Sequence, residues 1–109
     1  MSKNKYRAIP TWVDEIRFAS KAEAKHYGVL KIRERAGEIT DLELQPEYPI
    51  IVNGVRVAIY RADFRYMERT KHGVAQVIVD VKGMLTPVYK LKKKLVEAIY
   101  EIKITEVKP

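Results

Sequence analysis

Asp80 and Lys82 stand two residues apart at the end of the run Val77-Ile78-Val79-Asp80-Val81-Lys82-Gly83. Strand side chains alternate between faces, so this carboxylate and ammonium share one face while Val79 and Val81 point to the other. A second carboxylate, Asp63, lies in another strand-like run, Tyr60-Arg61-Ala62-Asp63-Phe64-Arg65-Tyr66. Two acids and a lysine converging on one end of a sheet can hold a hard cation and act on phosphate. The arrangement points to a metal-dependent nuclease. The plainer reading of Asp80 and Lys82 is an ion pair on a solvated strand face. Against it, Asp80 ends a strongly apolar run, where an unpartnered carboxylate is costly. Asp63 has its own alternative, capping a turn or pairing with Arg61 or Arg65.

Helices and strands have to bring these residues together. Ser20-Lys21-Ala22-Glu23 matches a capping box, and the chain stays rich in helix formers as far as Ala36, before Gly37. Ala24, Tyr27, Leu30 and Lys31 share a helix face with Glu23, and Ala22, Val29, Ile32 and Ala36 widen the apolar stripe. The capping box by itself accounts for Glu23, as the residue that reciprocates the cap. Ahead of this helix, Pro10 interrupts any early element. Trp12, Val13, Ile16 and Phe18 provide anchors for a short strand or hairpin, and residues 1–19 read as an N-terminal arm.

After Gly37 the apolar period falls from about 3.6 to about 2. Ile39 to Gln45 reads as a strand ended by Pro46, and Gln45 either faces the site or simply terminates the strand. Tyr48–Val52 and Val55–Tyr60 flank Asn53-Gly54, a strong hairpin signal. Further strands are expected over Ala62–Glu68 and, beyond the turn at Lys71-His72-Gly73, over Ala75–Lys82. The second of these has the continuous Val/Ile character of a strand covered on both faces. Thr86-Pro87 opens a second helix with Val88, Leu91, Leu95 and Ile99 as its apolar stripe. Glu101 to Val107 alternates as a last strand, placed parallel to Ala75–Lys82 by a crossover through that helix. The fold class is α/β, a mixed central sheet flanked by helices.

A chain of 109 residues accommodates one domain, here residues 1–109. It has no cysteine, so disulfides, thiol nucleophiles and zinc–thiolate sites are excluded. Its two histidines, His26 and His72, form no ligand motif. No apolar run approaches the ~20 residues of a membrane span, and no secretory signal precedes the domain, so an intracellular protein is expected. The net charge of +7 favours a polyanionic partner, nucleic acid first. Lys90, Lys93 and Lys94 lie on the less apolar side of the second helix, as phosphate contacts or as solvated surface.

Taken in order, Phe18-Ala19-Ser20-Lys21-Ala22-Glu23-Ala24, Leu44-Gln45-Pro46, Ala62-Asp63-Phe64, Val79-Asp80-Val81-Lys82-Gly83 and Tyr89-Lys90-Leu91-Lys92 span nearly the whole chain. This series resembles the PD-(D/E)xK nuclease superfamily, with its restriction-endonuclease-like fold, and most closely the small phage and prophage DUF1064 family. Arg61-Ala62-Asp63 lacks the proline of the superfamily's name, which is often absent. The resemblance implies Mg²⁺ (or Mn²⁺) held by Asp63, Asp80 and the backbone carbonyl of Val81. It implies Lys82 as the cation that orients water or stabilises the transition state, with Glu23 reaching the site from the first helix to complete the acidic cluster or to hold a second metal through water, in competition with its cap role. It further implies DNA as substrate, branched or junction DNA of phage recombination in particular, a homodimer, no membrane association, and the cytoplasm of a bacterial host. The alternatives are a non-catalytic nucleic-acid-binding module of a replication or packaging assembly, and a phage protein whose basic surface serves assembly only.

Overall fold

Local signals start and stop the elements in the computed structural model, which describes residues 9–109. Ser20 Oγ accepts the Glu23 N–H at 3.1 Å and Thr86 Oγ1 accepts the Tyr89 N–H at 3.1 Å, capping helices α1 (Lys21–Arg35) and α2 (Pro87–Tyr100). Asn53 and Gly54 both take positive φ, 49° and 78°, the geometry that closes a two-residue hairpin. Asp14 and Glu15 do the same at 51° and 63°, without a glycine, between β1 (Thr11–Val13) and β2 (Ile16–Phe18). This hairpin packs on α1 through Val13, Ile16 and Phe18, so the expected arm belongs to the domain from Thr11 onward. The first eight residues of that arm lie outside the described residues.

The remaining strands are β3 (Ile39–Leu44), β4 (Glu47–Val52), β5 (Val55–Arg61), β6 (Phe64–Thr70), β7 (Gly73–Val81) and β8 (Ile104–Val107). Four of them form the central sheet, ordered β3-β6-β7-β8. Its β3–β6 and β6–β7 pairs are antiparallel and β7–β8 is parallel, with α2 making the crossover. The sheet is therefore mixed and the class is α/β, as the sequence predicts. β4 and β5 pair only with each other, as a separate hairpin.

Alternation along β7 divides the core. Val77, Val79 and Val81 face α1, packing with Ala24, Tyr27, Leu30 and Phe64. Ile78 faces the other way, into a cluster of Tyr48, Ile50, Tyr60, Tyr89, Val96 and Ile104 contributed by the β4–β5 hairpin, α2 and β8. Burying each such side chain contributes on the order of 2 kcal/mol. Asp80 is on this second side and is fully buried.

Four expectations need correction. Val88, Leu91 and Ile99 do not form the buried stripe of α2, being 63%, 59% and 45% exposed. The buried face is the adjacent one, Tyr89 and Val96. Helical spacing fixes which residues share a face but not which face meets the sheet, and polar anchors decide it here. Tyr89 Oη donates to Glu106 at 2.8 Å and Lys92 Nζ donates to the Ile59 carbonyl at 3.2 Å. Val29 and Ile32 are likewise exposed on α1, whose buried stripe is the narrow Ala24, Tyr27, Leu30 line. The strand placed at Ala62–Glu68 begins only at Phe64, so Asp63 sits in the link between β5 and β6. The last strand starts at Ile104, because Glu101 takes a left-handed φ of 54° and ends α2.

Candidate active site

Several elements end around one cavity of about 840 Å³. The start of α1 supplies Lys21 and Glu23, the end of β3 supplies Gln45, and the β5–β6 link supplies Asp63. Val81 and Lys82 come from the end of β7, and Thr86 and Tyr89 from the start of α2. Two capped helix N-termini thus border the cavity, and their dipoles favour an anion there.

Asp80 lies just behind this wall. The Tyr60 hydroxyl donates a hydrogen bond to its Oδ2, while its Oδ1 is buried with no partner. Lys82 Nζ is 3.9 Å from Oδ1, on the same strand face but beyond hydrogen-bond reach. Burial pushes the Asp80 carboxyl up to about 7, the repulsion of Asp63 adding to it and the Tyr60 bond and Lys82 opposing it. The Lys82 ammonium lies over the ring of Tyr89, 4.7 Å from its centroid.

Asp63 extends the ladder by side chain where β6 has not yet begun. Its Oδ2 accepts the Val81 N–H at 2.6 Å, and its own N–H donates to the Val79 carbonyl at 3.0 Å. A strand residue's N–H and C=O face the same neighbour, so the Val81 carbonyl points to the edge where Asp63 stands. Burial first, and then contact with the Glu23 carboxyl, raise the Asp63 carboxyl to about 6 against the opposing Val81 bond.

The competition at Glu23 is resolved by splitting the residue. Its backbone N–H is capped by Ser20, yet among the described residues no bond runs from the Ser20 N–H to its carboxylate. The side chain, only 7% exposed, turns to Asp63 instead. Gln45 also lines the cavity, and its N–H donates to the Asp63 carbonyl at 2.9 Å. It holds a left-handed φ of 51°, unusual for a non-glycine residue and concentrated at functional positions.

The structure therefore brings together Glu23, Gln45, Asp63, Asp80, Val81 and Lys82. It leaves the lysines of α2 outside the cavity. Lys90 and Lys94 are exposed, and Lys93 pairs with Glu106 at 3.3 Å. Sequence reasoning missed Tyr60 and gave Tyr89 no role at the site. Tyr60 was legible as an inward residue opposite Tyr48 in the hairpin, but its reach to Asp80 depends on how that hairpin crosses the sheet.

The acids fit a small hard cation. An unpartnered carboxylate oxygen with full burial, beside a second raised carboxyl, is an electrostatic deficit that a cation relieves. Among the described residues no group of three or more His, Cys, Asp or Glu side chains forms a ligating array. Mg²⁺ needs only one or two carboxylates, completing its shell with carbonyl, water and phosphate oxygens. No helix among the described residues is long and apolar enough to cross a membrane.

Fold and site define a small mixed α/β domain with a buried aspartate, a half-buried aspartate and a lysine at one end of its central sheet. Residues 3–108 match the family described as "Protein of unknown function (DUF1064)". The chain belongs to that family. No curated protein and no solved structure matches it.

Proposed function

We propose that this chain is a Mg²⁺- or Mn²⁺-dependent endonuclease of the PD-(D/E)xK superfamily, hydrolysing DNA phosphodiester bonds on a restriction-endonuclease-like domain. The observation that carries the reading is Asp80, fully buried with Oδ1 unpartnered and with Asp63 and Lys82 beside it. Asp63, Asp80 and the Val81 carbonyl hold the ion, which when bound polarises the phosphodiester and lowers the pKa of a bound water. Lys82, braced on the Tyr89 ring, presents a fixed ammonium to the charge that develops on the phosphate. Glu23 adds a third carboxylate from α1, and Gln45 offers an amide to phosphate or water. The exposed Lys90 and Lys94 contact flanking phosphates, and the +7 charge supplies non-specific affinity. Branched DNA as preferred substrate, a homodimer that cuts two symmetric strands, and a cytoplasmic setting in a phage-carrying bacterium complete the proposal.

The test is incubation of the protein with branched, single-stranded and duplex DNA in Mg²⁺, Mn²⁺ or EDTA, beside Lys82→Ala. Cutting that needs the metal and is lost in Lys82→Ala is the expected result, and the preferred substrate names the subclass. Salt-sensitive binding with no cutting on any substrate replaces the nuclease by a binding module. Neither binding nor cutting leaves an assembly role.

A further inference from the structure

Both aspartates of the site have one oxygen already committed to the protein. Asp63 Oδ2 is taken by the Val81 N–H at 2.6 Å, and Asp80 Oδ2 by the Tyr60 hydroxyl. The first donor is backbone and comes with the sheet. The second is a side chain brought from outside the sheet, on the β4–β5 hairpin, and Tyr60 is itself 3% exposed. Its ring is fixed between Tyr48 and Tyr89, with centroids 6.3 Å from each.

We infer that Tyr60 is a positioning residue that makes Asp80 a one-oxygen ligand and thereby sets the ion preference of the site toward Mg²⁺ over Ca²⁺. The inference rests on the metal-dependent reading of the same acids and goes beyond it by naming what discriminates between ions. Mg²⁺ takes close to six ligands in a rigid octahedron at ~2.1 Å, which single carboxylate oxygens satisfy. Ca²⁺ takes six to eight at about 2.3–2.6 Å and gains from a carboxylate that can offer both oxygens. With Oδ2 tied to Tyr60, Asp80 cannot swing into a two-oxygen grip. Released from Tyr60, it can.

The experiment is calorimetric titration of Mg²⁺ and, separately, Ca²⁺ into the wild-type protein, Tyr60→Phe and Tyr48→Phe. Tyr48 lies opposite Tyr60 in the same hairpin, and its hydroxyl accepts from Arg65, away from the acids. Removing a ligand's outer hydrogen-bond partner typically weakens metal binding by about 10–100-fold. In Tyr60→Phe, Mg²⁺ affinity is expected to fall by about tenfold and Ca²⁺ affinity by much less, so the ratio of the two moves toward Ca²⁺. Tyr48→Phe keeps the wild-type ratio. Equal losses for both ions in Tyr60→Phe overturn the inference, as does a ratio that moves toward Mg²⁺. A wild-type protein that binds neither ion overturns the metal reading along with it.

A second measurement needs no variant. In infrared difference spectra of the wild-type protein labelled with ¹³C-aspartate, one-oxygen and two-oxygen carboxylate coordination differ in the splitting of the two carboxylate stretches. One-oxygen coordination with both ions is expected, and a two-oxygen pattern with either ion overturns the role given to Tyr60.

Discussion

β6 treats carboxylates on its exposed surface and at the site in opposite ways. Toward its far end, Glu68 meets Arg33 at 2.5 Å, and the same guanidinium reaches Glu38 at 3.0 Å. Nearer the start of β6 but exposed on the sheet surface, Glu43 of β3 pairs with Arg65, which holds the Glu43 carboxyl below its ordinary range. At the site, Asp80 is buried and Asp63 half-buried, and although Lys82 stands 3.9 Å from Asp80, among the described residues no basic side chain donates a hydrogen bond to either. The chain carries 21 Lys and Arg against 14 Asp and Glu, so a shortage of cations is not the reason. Ordinary folding physics pairs the acids it places on a sheet surface. It leaves a buried carboxylate oxygen without a hydrogen-bond donor only at a cost, and such exceptions mark sites that a ligand completes.

Breaking the site should have the largest effect. Asp80→Asn keeps the shape and removes the charge, so cleavage is expected to fall by about 1000-fold, the scale on which single electrostatic groups act in active sites. A single-turnover assay on the preferred DNA measures it, and a fall below tenfold would separate Asp80 from the chemistry.

The next effect is on stability, with a sign set by the raised carboxyl. Asp80 titrates at about 7 when folded against an ordinary 3.8, so the folded state binds more protons between those values and stability falls as pH rises through that window. Without metal, the protein should melt roughly 10 °C higher at pH 5 than at pH 8, corresponding to about 2 kcal/mol. Calorimetric melts at the two pH values check this. A melting temperature that instead rises from pH 5 to pH 8 would mean that Asp80 is neutralised by the protein after all.

The smallest effect belongs to the paired surface acids. Arg65→Ala should cost no more than about 1 kcal/mol and leave cleavage unchanged, because the pair is half in solvent. Glu43 has a depressed folded value, so its contribution is present above its ordinary 4.5 and is lost as pH falls below it, opposite in direction to Asp80. Denaturant midpoints of wild type and Arg65→Ala at pH 7 and pH 3 read this out, the difference between them shrinking at pH 3.

Much of this contrast was legible from the residues. The period of a strand put Asp80 and Lys82 on one face, and the structure sets them 3.9 Å apart. Ser20, Thr86 with Pro87, and Asn53-Gly54 each act through local chemistry that needs no tertiary information, and each falls where expected. The buried face of α2 was not legible, since it is chosen by bonds from Tyr89 to Glu106 and from Lys92 to Ile59, which join residues distant in sequence. For the same reason Tyr60 escaped notice. Its partner is twenty positions away, across a hairpin that pairs with no strand of the central sheet. Glu23 was ambiguous because one residue carries both roles, its N–H in the cap and its carboxylate at the site.

The claim that the buried acids are a cation site is tested most directly by thermal melting at pH 8 with and without Mg²⁺, for the wild type and Asp80→Asn. The account predicts that Mg²⁺ raises the wild-type melting temperature and leaves Asp80→Asn, already more stable than metal-free wild type, unmoved. No response of the wild type to Mg²⁺ or Mn²⁺, or an equal response in Asp80→Asn, would contradict it.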